Sequence, residues 1–390
     1  MSLKIAMVDN GATVHALVRG AAIAALGHTV RLVTLGPVLA HERIEVKTRP
    51  IPQTLFGSLL AFASFQRDLR SFRPDLLHVH YAGGRLGSLA LASGLKPLVV
   101  TVMGGDVQPE QLMGRATEGD HRATHRILAE ADLILSKSTA LKADIARYGD
   151  YGDKIETVRW GIEHARFARN PEKGAALRAR LGVGSGPVLF SPRILRRHYN
   201  FHLIIEAMKE IRLRFPAAIL LISRHREDEH YAHDLRESVK HFGLEGAVRF
   251  IEPITYEDMP AMLSMTDVVV SVPFSDGLPQ TLFECLASET PIVLGRLDAY
   301  GEMVQDGKEV LLADLHASGI AETVSRLLFD PNLASSLSTA GLKRIRQEPT
   351  LSDEARRVDG LYRRILEKPR RPSPIRPRIL DAISLAGKRG

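Results

Sequence analysis

Short apolar runs alternate with segments of helical period along most of the chain. In the first half, the runs that predict strands are Leu3–Val8, Thr29–Leu35, Leu76–His80, Leu98–Val102, Leu133–Ser136 and Ile155–Trp160. In the second half, they are Val188–Ser191, Ala218–Ser223, Val248–Ile251, Asp267–Val272, Ile292–Leu294 and Glu309–Ala313. Strands that alternate with helices are typical of parallel sheets covered by helices. We therefore expect an α/β fold with two Rossmann-like, doubly wound domains.

The strand pattern is interrupted once, and this interruption suggests the division into domains. The 390 residues exceed what one ordinary core accommodates. We predict a first domain over residues 1–165, a linker over 166–186 with three glycines near its end, and a second domain over 187–350. A helix over 351–367 is expected to return to the first domain, and a basic, proline-rich tail follows over 368–390. Ligands of such sheets bind at the carboxyl ends of the strands, so we expect a ligand cleft between the domains.

The composition indicates a globular protein, with 45% hydrophobic and 25% charged residues. No apolar run approaches the roughly 18 residues of a membrane-spanning helix, and the first residues lack the pattern of a signal peptide. The single cysteine, Cys285, excludes an intrachain disulfide and a cysteine-based metal cluster. A cytoplasmic protein is therefore expected.

The positive charge is concentrated in the tail. Residues 368–390 contain seven basic residues and one acid, so they carry +6 of the net charge of +7. The nearly neutral remainder argues against a nucleic-acid partner. Four prolines oppose a helix in the first part of the tail, and Ile379, Leu380 and Ile383 could form a short apolar face. We predict a poorly ordered tail that contacts anionic surfaces, which includes peripheral contact with the inner face of a membrane.

The strongest chemical signal is a pair of carboxylates, Asp276 and Glu284, eight positions apart. A helical segment begins near Pro279, and proline fits the first turn of a helix. The free N–H groups of a helix start favour an anion. The motif therefore predicts a phosphate-facing helix start with carboxylates on both sides that bind hydroxyl groups. A nucleotide sugar or a phosphorylated sugar requires such a site.

This motif resembles that of the retaining glycosyltransferases of family 4, which have the two-domain GT-B fold. The family pattern is Glu, seven residues, Glu; here the first acid is Asp276, and Glu289 stands where Gly is usual. Met103 replaces the commonest His of another family motif. Four further segments resemble family motifs in the same order: Asp75–Tyr81, Pro97–Asp106, Ala131–Ser138 and Val158–Glu163.

The resemblance implies a hexosyl transfer from a nucleotide-sugar donor to a glycan, lipid-linked or small-molecule acceptor, with retention of anomeric configuration. It implies that Arg193 faces the diphosphate, that Glu284 binds the ribose and that Asp276 binds the transferred sugar. No metal or other cofactor is expected, because fixed cations and a helix start can stabilise the leaving diphosphate. The usual Lys-Gly pair is replaced by Tyr199 and Asn200, so the nearby Arg196 and Arg197 are candidates for a second cation.

Other candidate ligand-binding residues lie at strand ends and in loops. In the second domain they are the backbone groups around Gly277, Leu278 and Pro279, and in the first domain they are Gly11, His15, His78, His80 and Asp106. Alternation along the strand places His78 and His80 on one face, with His80 nearer the carboxyl end. Each histidine can equally be a hydrogen-bonded core residue, so both interpretations stay open here.

Three alternative functions remain to be weighed. The run Ala82–Gly87 follows a strand, opens a helix and approximates a dinucleotide fingerprint, with Asp106 about 20 residues further on where a ribose-binding acid would lie. That would indicate an NAD-dependent oxidoreductase, but it leaves Asp276 and Glu284 unexplained. A sugar-nucleotide 2-epimerase and a non-catalytic sugar-binding protein of the same fold are the other two. An assay of glycosyl release from nucleotide sugars separates all of these.

Overall fold

The chain folds into two compact units. A computed structural model describes residues 1–9, 14–36, 40–50, 55–108 and 117–368. The predicted site residue Gly11 and the tail beyond Lys368 lie outside these ranges. One unit comprises Met1–Gly161 with Pro349–Gly390, and the other comprises Ile162–Glu348. The chain thus passes between units after Gly161 and Glu348, a few residues before the predicted limits of 165 and 350.

The first unit contains a seven-stranded parallel sheet in the order β3-β2-β1-β4-β5-β6-β7. Its strands are β1 (Lys4–Asp9), β2 (Thr29–Thr34), β3 (Glu45–Thr48), β4 (Leu76–His80), β5 (Leu98–Thr101), β6 (Leu133–Ser136) and β7 (Ile155–Thr157). Every strand predicted for this half is present. The edge strand β3 was not predicted, because edge strands are often polar and Glu45, Lys47 and Thr48 interrupt any apolar run.

Helices cover both faces of the first sheet. They are α1 (His15–Ala24), α2 (Leu55–Ser71), α3 (Gly84–Ala92), α4 (Glu118–Glu130) and α5 (Thr139–Ala146). Apolar side chains of α2 to α5, such as Phe65, Leu89 and Ile127, pack on one face, and Leu17 and Ile23 of α1 pack on the other. Burial of this apolar surface is the main contribution to the stability of the unit.

The second unit repeats the same plan with six parallel strands in the order β10-β9-β8-β11-β12-β13. The strands are β8 (Val188–Ser191), β9 (Ile219–Ser223), β10 (Val248–Ile251), β11 (Val268–Ser271), β12 (Ile292–Gly295) and β13 (Leu311–Ala313). The helices are α6 (His164–Phe167), α7 (Pro171–Arg180), α8 (Phe201–Arg214), α9 (Glu229–His241), α10 (Met259–Met265), α11 (Gln280–Ala287), α12 (Ala317–Phe329) and α13 (Pro331–Ile345). Every predicted strand of this half is also present.

Residues 166–186, predicted as a linker, contain α7 and belong to the second unit. Asn170 caps this helix by accepting from the N–H of Lys173 at 2.9 Å. At Gly174 a Cβ would lie 2.9 Å from the backbone of Ser264, so α7 packs closely on α10 there. This contact joins residues far apart in the sequence, which is why local pattern alone did not indicate it.

The last helix described, α14 (Leu351–Glu367), returns to the first unit as predicted. Thr350 and Asp353 form a capping box at its start. Ala355, Val358 and Leu361 follow at helical spacing and pack on the sheet face that α1 also covers. The predicted fold class, two doubly wound α/β units with a returning helix, is confirmed. None of the described helices has the length and apolar character to span a membrane.

The topology identifies where each sheet is suited to bind a ligand. Strand order reverses between β1 and β4 in the first sheet and between β8 and β11 in the second. In open α/β sheets, ligands bind at the carboxyl edge near such a reversal. Arg193 follows β8, Asp276 follows β11, and His80 is the last residue of β4. Three predicted site residues therefore lie at the two reversal points.

Candidate functional site

Arg193 and Asp276 form a partly buried ion pair at the reversal point of the second sheet. Nη2 of Arg193 lies 2.8 Å from Oδ2 of Asp276, and each side chain is 12% exposed. Burial by itself lowers the pKa of Arg193, but Asp276, Tyr199 and Tyr300 together outweigh this and raise that pKa above its ordinary value. Arg193 is therefore a permanent positive charge held at one position.

Two tyrosines enclose this pair. The guanidinium carbon of Arg193 lies 4.5 Å from the centre of the Tyr199 ring, a cation–π contact. The hydroxyl of Tyr300, which is 1% exposed, donates to Oδ2 of Asp276 at 3.4 Å. Within the described part of the chain, Oδ1 of Asp276 has no hydrogen-bond partner. The pair can therefore offer a cation to an anion and a carboxylate oxygen to a hydroxyl group.

The loops that carry Arg193 and Asp276 are tied together by three hydrogen bonds. Nδ2 of Asn200 donates to the carbonyl of Val272 at 2.9 Å. Nε2 of His198 donates to the carbonyl of Ser275 at 2.7 Å, and the N–H of Phe274 donates to the carbonyl of His198 at 2.8 Å. Asn200 has φ 53° and ψ 36°, a left-handed conformation that Asn tolerates better than most residues. Asn thus suits the position where the resembling family has Gly.

The two candidates for a second cation differ in their surroundings. Arg197 is 72% exposed and lies 3.5 Å from Asp234 of α9, so its charge is engaged at the surface. Arg196 is partly buried, and its Nε has no hydrogen-bond partner among the residues described. Of the two guanidinium groups, that of Arg196 is the better placed to accept a further anionic partner.

The segment between the two carboxylates forms a turn and a helix start. Pro279 is the N-cap of α11, with φ −74° and ψ 141°, and the helix begins at Gln280. The expectation that Pro279 lies in the first turn is therefore wrong by one residue, because its extended ψ places it just before the helix. Leu278 is 3% exposed, so its buried side chain anchors the turn. Gly277 has no side chain.

Glu284 lies in the second turn of α11 and is 8% exposed. Burial and the charges of Glu163 and Glu284 raise the pKa of the neighbouring Tyr256. The Tyr256 hydroxyl donates to Oε2 of Glu163 at 2.9 Å, and Nε of Arg166 donates to the same oxygen at 3.0 Å. Glu284 thus shares the neighbourhood of Tyr256 with a second carboxylate, Glu163. Hydrogen bonds from Tyr256 and Arg166 stabilise the charge of Glu163.

Sequence reasoning did not identify Tyr256 or Tyr300 as neighbours of the two carboxylates. Tyr300 lies in a 3-10 turn after β12, the strand next to β11. Its position after the carboxyl end of an adjacent parallel strand was a usable signal. Tyr256 lies between β10 and α10, and nothing local distinguishes it from other loop aromatics.

The two histidines of β4 have different surroundings although they share one face. Nδ1 of His78 is 2.5 Å from the Tyr362 hydroxyl, and Nε2 is 2.7 Å from the hydroxyl of Thr101. Burial lowers the pKa of His78 to about 3. His78 is therefore a neutral, hydrogen-bonded core residue. His80 is 2% exposed, and neither ring nitrogen has a partner in the described ranges.

His80 lines a small cavity of about 20 Å³ within the first unit. Burial, followed by the nearby His78, Arg19 and His15, holds the pKa of His80 well below its ordinary value, so its imidazole is neutral. Arg19 and Glu354 also line the cavity and form an ion pair at 2.8 Å. Trp160 lies beneath the Arg19 guanidinium, 3.7 Å from ring centre to Cζ.

The carboxylate of Asp106 is buried and bonded to backbone groups, rather than exposed to a ligand. Its carboxylate accepts from the backbone N–H groups of Ala82 at 2.7 Å, Gly104 at 2.8 Å and Met103 at 3.1 Å, and the residue is 1% exposed. It therefore ties the loop after β5 to the turn before α3. At Gly83, in that turn, a Cβ would lie 3.0 Å from Oγ1 of Thr124. Packing thus accounts for the acid and for Gly83, two features that approximated a dinucleotide fingerprint.

Two family descriptions match successive halves of the chain. "Glycosyltransferase Family 4" matches residues 9–166, and "Glycosyl transferases group 1" matches residues 177–344. The second match contains the Arg193–Asp276 pair and Glu284. The first contains β4 with His78 and His80.

Curated relatives show lower, partial similarity. A GDP-mannose-dependent alpha-(1-6)-phosphatidylinositol monomannoside mannosyltransferase of Mycolicibacterium smegmatis is 28% identical over 66% of this chain and 67% of its own length. A D-inositol 3-phosphate glycosyltransferase of Salinispora arenicola is 28% identical over 68% of this chain, and the match spans 63% of that relative. An alpha-D-kanosaminyltransferase of Streptomyces kanamyceticus is 22% identical over 90% of this chain and 99% of its own.

Solved structures share the fold at low sequence identity. HepE of Anabaena, in complex with UDP-glucose, superposes with a TM-score of 0.79 at 16% sequence identity. The alignment covers 93% of this chain and 100% of the HepE chain. Sucrose-phosphate synthase of Thermosynechococcus elongatus has a TM-score of 0.78 at 18% identity and covers 93% and 99%. These similarities concern the fold.

Proposed function

The chain belongs to the glycosyltransferases of group 1 and family 4, and on that premise we propose that it transfers a hexosyl group from a nucleotide-sugar donor with retention of anomeric configuration. The observation that carries the proposal is the partly buried Arg193–Asp276 pair at the reversal point of the second sheet. It supplies a fixed cation and a carboxylate oxygen at one position, as transfer from a sugar diphosphate requires.

Arg193 is proposed to stabilise the departing diphosphate. Negative charge on the diphosphate grows as the bond to the sugar breaks, so a cation that is already in place lowers the barrier without reorganisation. The Tyr199 ring and Asp276 hold the guanidinium in that place. Arg196, whose Nε has no partner among the described residues, is proposed as the second cation. We propose that no metal is needed.

The carboxylates are proposed to bind hydroxyl groups. Oδ1 of Asp276 is proposed to accept from the transferred sugar, because Oδ2 is engaged by Arg193 and Tyr300. Glu284, on α11, is proposed to accept from the ribose, since one carboxylate can take two hydroxyl hydrogen bonds. HepE binds UDP-glucose and the mycobacterial relative uses GDP-mannose, so UDP-glucose and GDP-mannose are the first donors to test.

The acceptor is proposed to be a polyol, either free or attached to a glycan or lipid. The names of two relatives include phosphatidylinositol monomannoside and D-inositol 3-phosphate, which both contain an inositol ring. These compounds are therefore the first acceptors to test.

An activity assay with a panel of UDP-, GDP- and ADP-sugars tests the proposal. We expect release of the nucleoside diphosphate with one donor, stimulation by an acceptor, and a product whose anomeric configuration by NMR matches the donor. An isomerised nucleotide sugar would indicate an epimerase, and binding without turnover would indicate a sugar-binding protein. Activity should survive treatment with a chelator. Loss that manganese restores would contradict the metal-independent mechanism.

We further propose that residues 368–390 contact an anionic membrane surface, because seven of them are basic. Flotation with vesicles of phosphatidylglycerol and phosphatidylcholine tests this. The full chain should bind, and a chain truncated after Glu367 should not. Equal binding by both chains would contradict the proposal. Vesicles of phosphatidylcholine alone are the control.

A further inference from the structure

His80 is an exception to the usual pairing of buried polar groups. It is 2% exposed, yet both ring nitrogens have no hydrogen-bond partner within the described residues. Nearly all buried polar side chains in native proteins are paired with protein or water. A neutral imidazole offers one N–H donor and one acceptor nitrogen. His80 therefore lacks a partner within the described ranges, and the cavity that it lines is where a water molecule or a ligand group can supply one.

The size of the cavity limits what this partner can be. Its volume of about 20 Å³ accommodates one water-sized group. A hydroxyl group has this size and can both donate and accept one hydrogen bond, which matches either nitrogen of a neutral imidazole. A phosphate group or a ring would not fit without rearrangement of the lining.

The charges around the cavity favour a neutral partner. Arg19 and Lys137 line the cavity, as does Glu354, so both signs of charge are present. The carboxylate of Glu354 already pairs with Arg19 at 2.8 Å and accepts from the N–H of Gly161 at 2.7 Å. The carboxylate of Glu354 would repel a free anion in the cavity, and the positive charges of Arg19 and Lys137 would repel a free cation. A hydroxyl group is uncharged, so neither repulsion applies to it.

The position of His80 is fixed by its surroundings. It ends β4, beside the strand reversal of the first sheet, where ligands of such sheets bind. The ring of His78 lies 4.5 Å from the ring of His80, centre to centre, and His78 is itself held by Tyr362 and Thr101. His80 is therefore presented to the cavity by a rigid strand.

We propose that His80 hydrogen-bonds a hydroxyl group of the acceptor, and that a water molecule occupies this place in the free protein. The proposal rests on the proposed transferase function and specifies one contact of its acceptor side. It makes His80 a specificity-determining residue for a polyol. It assigns no proton transfer to the imidazole.

The test compares the two histidines of β4. His80→Leu removes two buried polar atoms that no described residue pairs with, so the melting temperature should stay the same or rise, while KM for the acceptor should rise at least about tenfold. His80→Gln keeps one donor and one acceptor and should restore part of the affinity. His78→Leu is the matched control, because it leaves the hydroxyls of Tyr362 and Thr101 without their partner. It should lower the melting temperature.

Further measurements separate this inference from the proposed function. The Kd of the nucleoside diphosphate, measured by calorimetry, should be the same in wild type and His80→Leu. If acceptor KM stays within about twofold in His80→Leu, or if its melting temperature falls as in His78→Leu, His80 is a core residue and the inference is wrong.

A wild-type chain that is inactive with every donor would instead contradict the transferase function. In that case, the ring 15N signals of His80, assigned by their absence in His80→Leu, decide the contact. Titration with myo-inositol should shift them, and unchanged signals would overturn the contact.

Discussion

Arg193 is the side chain whose loss should affect the rate of transfer most. Arg193→Ala removes a charge that matters more in the transition state than in the ground state, so we expect kcat to fall by about 10²–10³-fold with a smaller change in donor KM. Arg193→Lys should restore only part of the kcat that Arg193→Ala loses, because an ammonium group lacks the two parallel N–H donors of a guanidinium group. Steady-state kinetics on the identified donor measure both effects.

Arg197→Ala is the matched control for Arg193. It removes an arginine from the same loop, but this one is 72% exposed and pairs with Asp234. Its kcat and KM should remain near those of wild type. A loss equal to that of Arg193→Ala would show that the loop supplies only general positive charge, and the assignment of Arg193 would then be wrong.

Glu284 should affect binding more than chemistry. Its proposed bonds to the ribose are present in both ground and transition states, so Glu284→Ala should raise donor KM with little change in kcat. Loss of a charged hydrogen-bond acceptor costs about 1.5–3 kcal/mol, which corresponds to a rise of roughly tenfold to hundredfold. Calorimetric titration of the nucleoside diphosphate measures the affinity directly. A variant with unchanged affinity and reduced kcat would place Glu284 at the reacting sugar instead.

The end of helix α11 shows how an element tolerates an unfavourable residue. The N–H of Thr290 donates to the carbonyl of Cys285 at 3.0 Å and that of Glu289 to Leu286 at 3.4 Å, the bonds of a Schellman motif. This motif needs a left-handed residue, and Glu289 supplies it with φ 53°. Side chains beyond glycine pay a steric cost in that conformation. The same position is usually Gly in the resembling family.

We predict that Glu289→Gly increases the free energy of unfolding by about 1 kcal/mol, because it relieves that cost. Glu322→Gly is the matched control, since Glu322 is exposed within α12 and has ordinary helical geometry. There the same substitution should decrease the free energy of unfolding by about 0.5–1 kcal/mol. Urea denaturation measures both. Equal destabilisation by the two would show that φ at position 289 carries no strain.

The whole molecule should lose stability in mild acid because of its buried histidines. Burial lowers the pKa of His78 to about 3 in the folded state, against an ordinary value of 6.5. Below that ordinary value, the unfolded chain binds a proton that the folded chain does not, so the free energy of unfolding falls as pH falls. The slope is up to about 1.4 kcal/mol per pH unit for one such group, and it disappears above about pH 7.

Urea denaturation of wild type and His78→Phe between about pH 7 and about pH 5 tests this expectation. His78→Phe should be less stable overall but should depend less on pH, since the difference in slope isolates this one histidine. Asp353 does not interfere, because hydrogen bonds from Thr350 lower its pKa to about 2 from an ordinary value of 3.8. Equal slopes would show that His78 takes up a proton in the folded state.

The sequence by itself determined the backbone plan and the family of this protein. Apolar runs mark strands because burial of a strand is a local property of its side chains, and every predicted strand is present. The start of α11 and the returning helix α14 also followed from local signals. The motif around Asp276 and Glu284 placed the chain in its family, which the comparisons confirmed.

Only the tertiary structure decided which polar side chains have partners. His78 and His80 are the same residue type on the same face of β4, but His78 meets Tyr362 of α14 while His80 meets a cavity. The carboxylate of Asp106 likewise accepts hydrogen bonds from three backbone N–H groups. The physical reason is that local pattern reports burial, whereas hydrogen-bond satisfaction depends on groups that the fold brings together from distant parts of the chain.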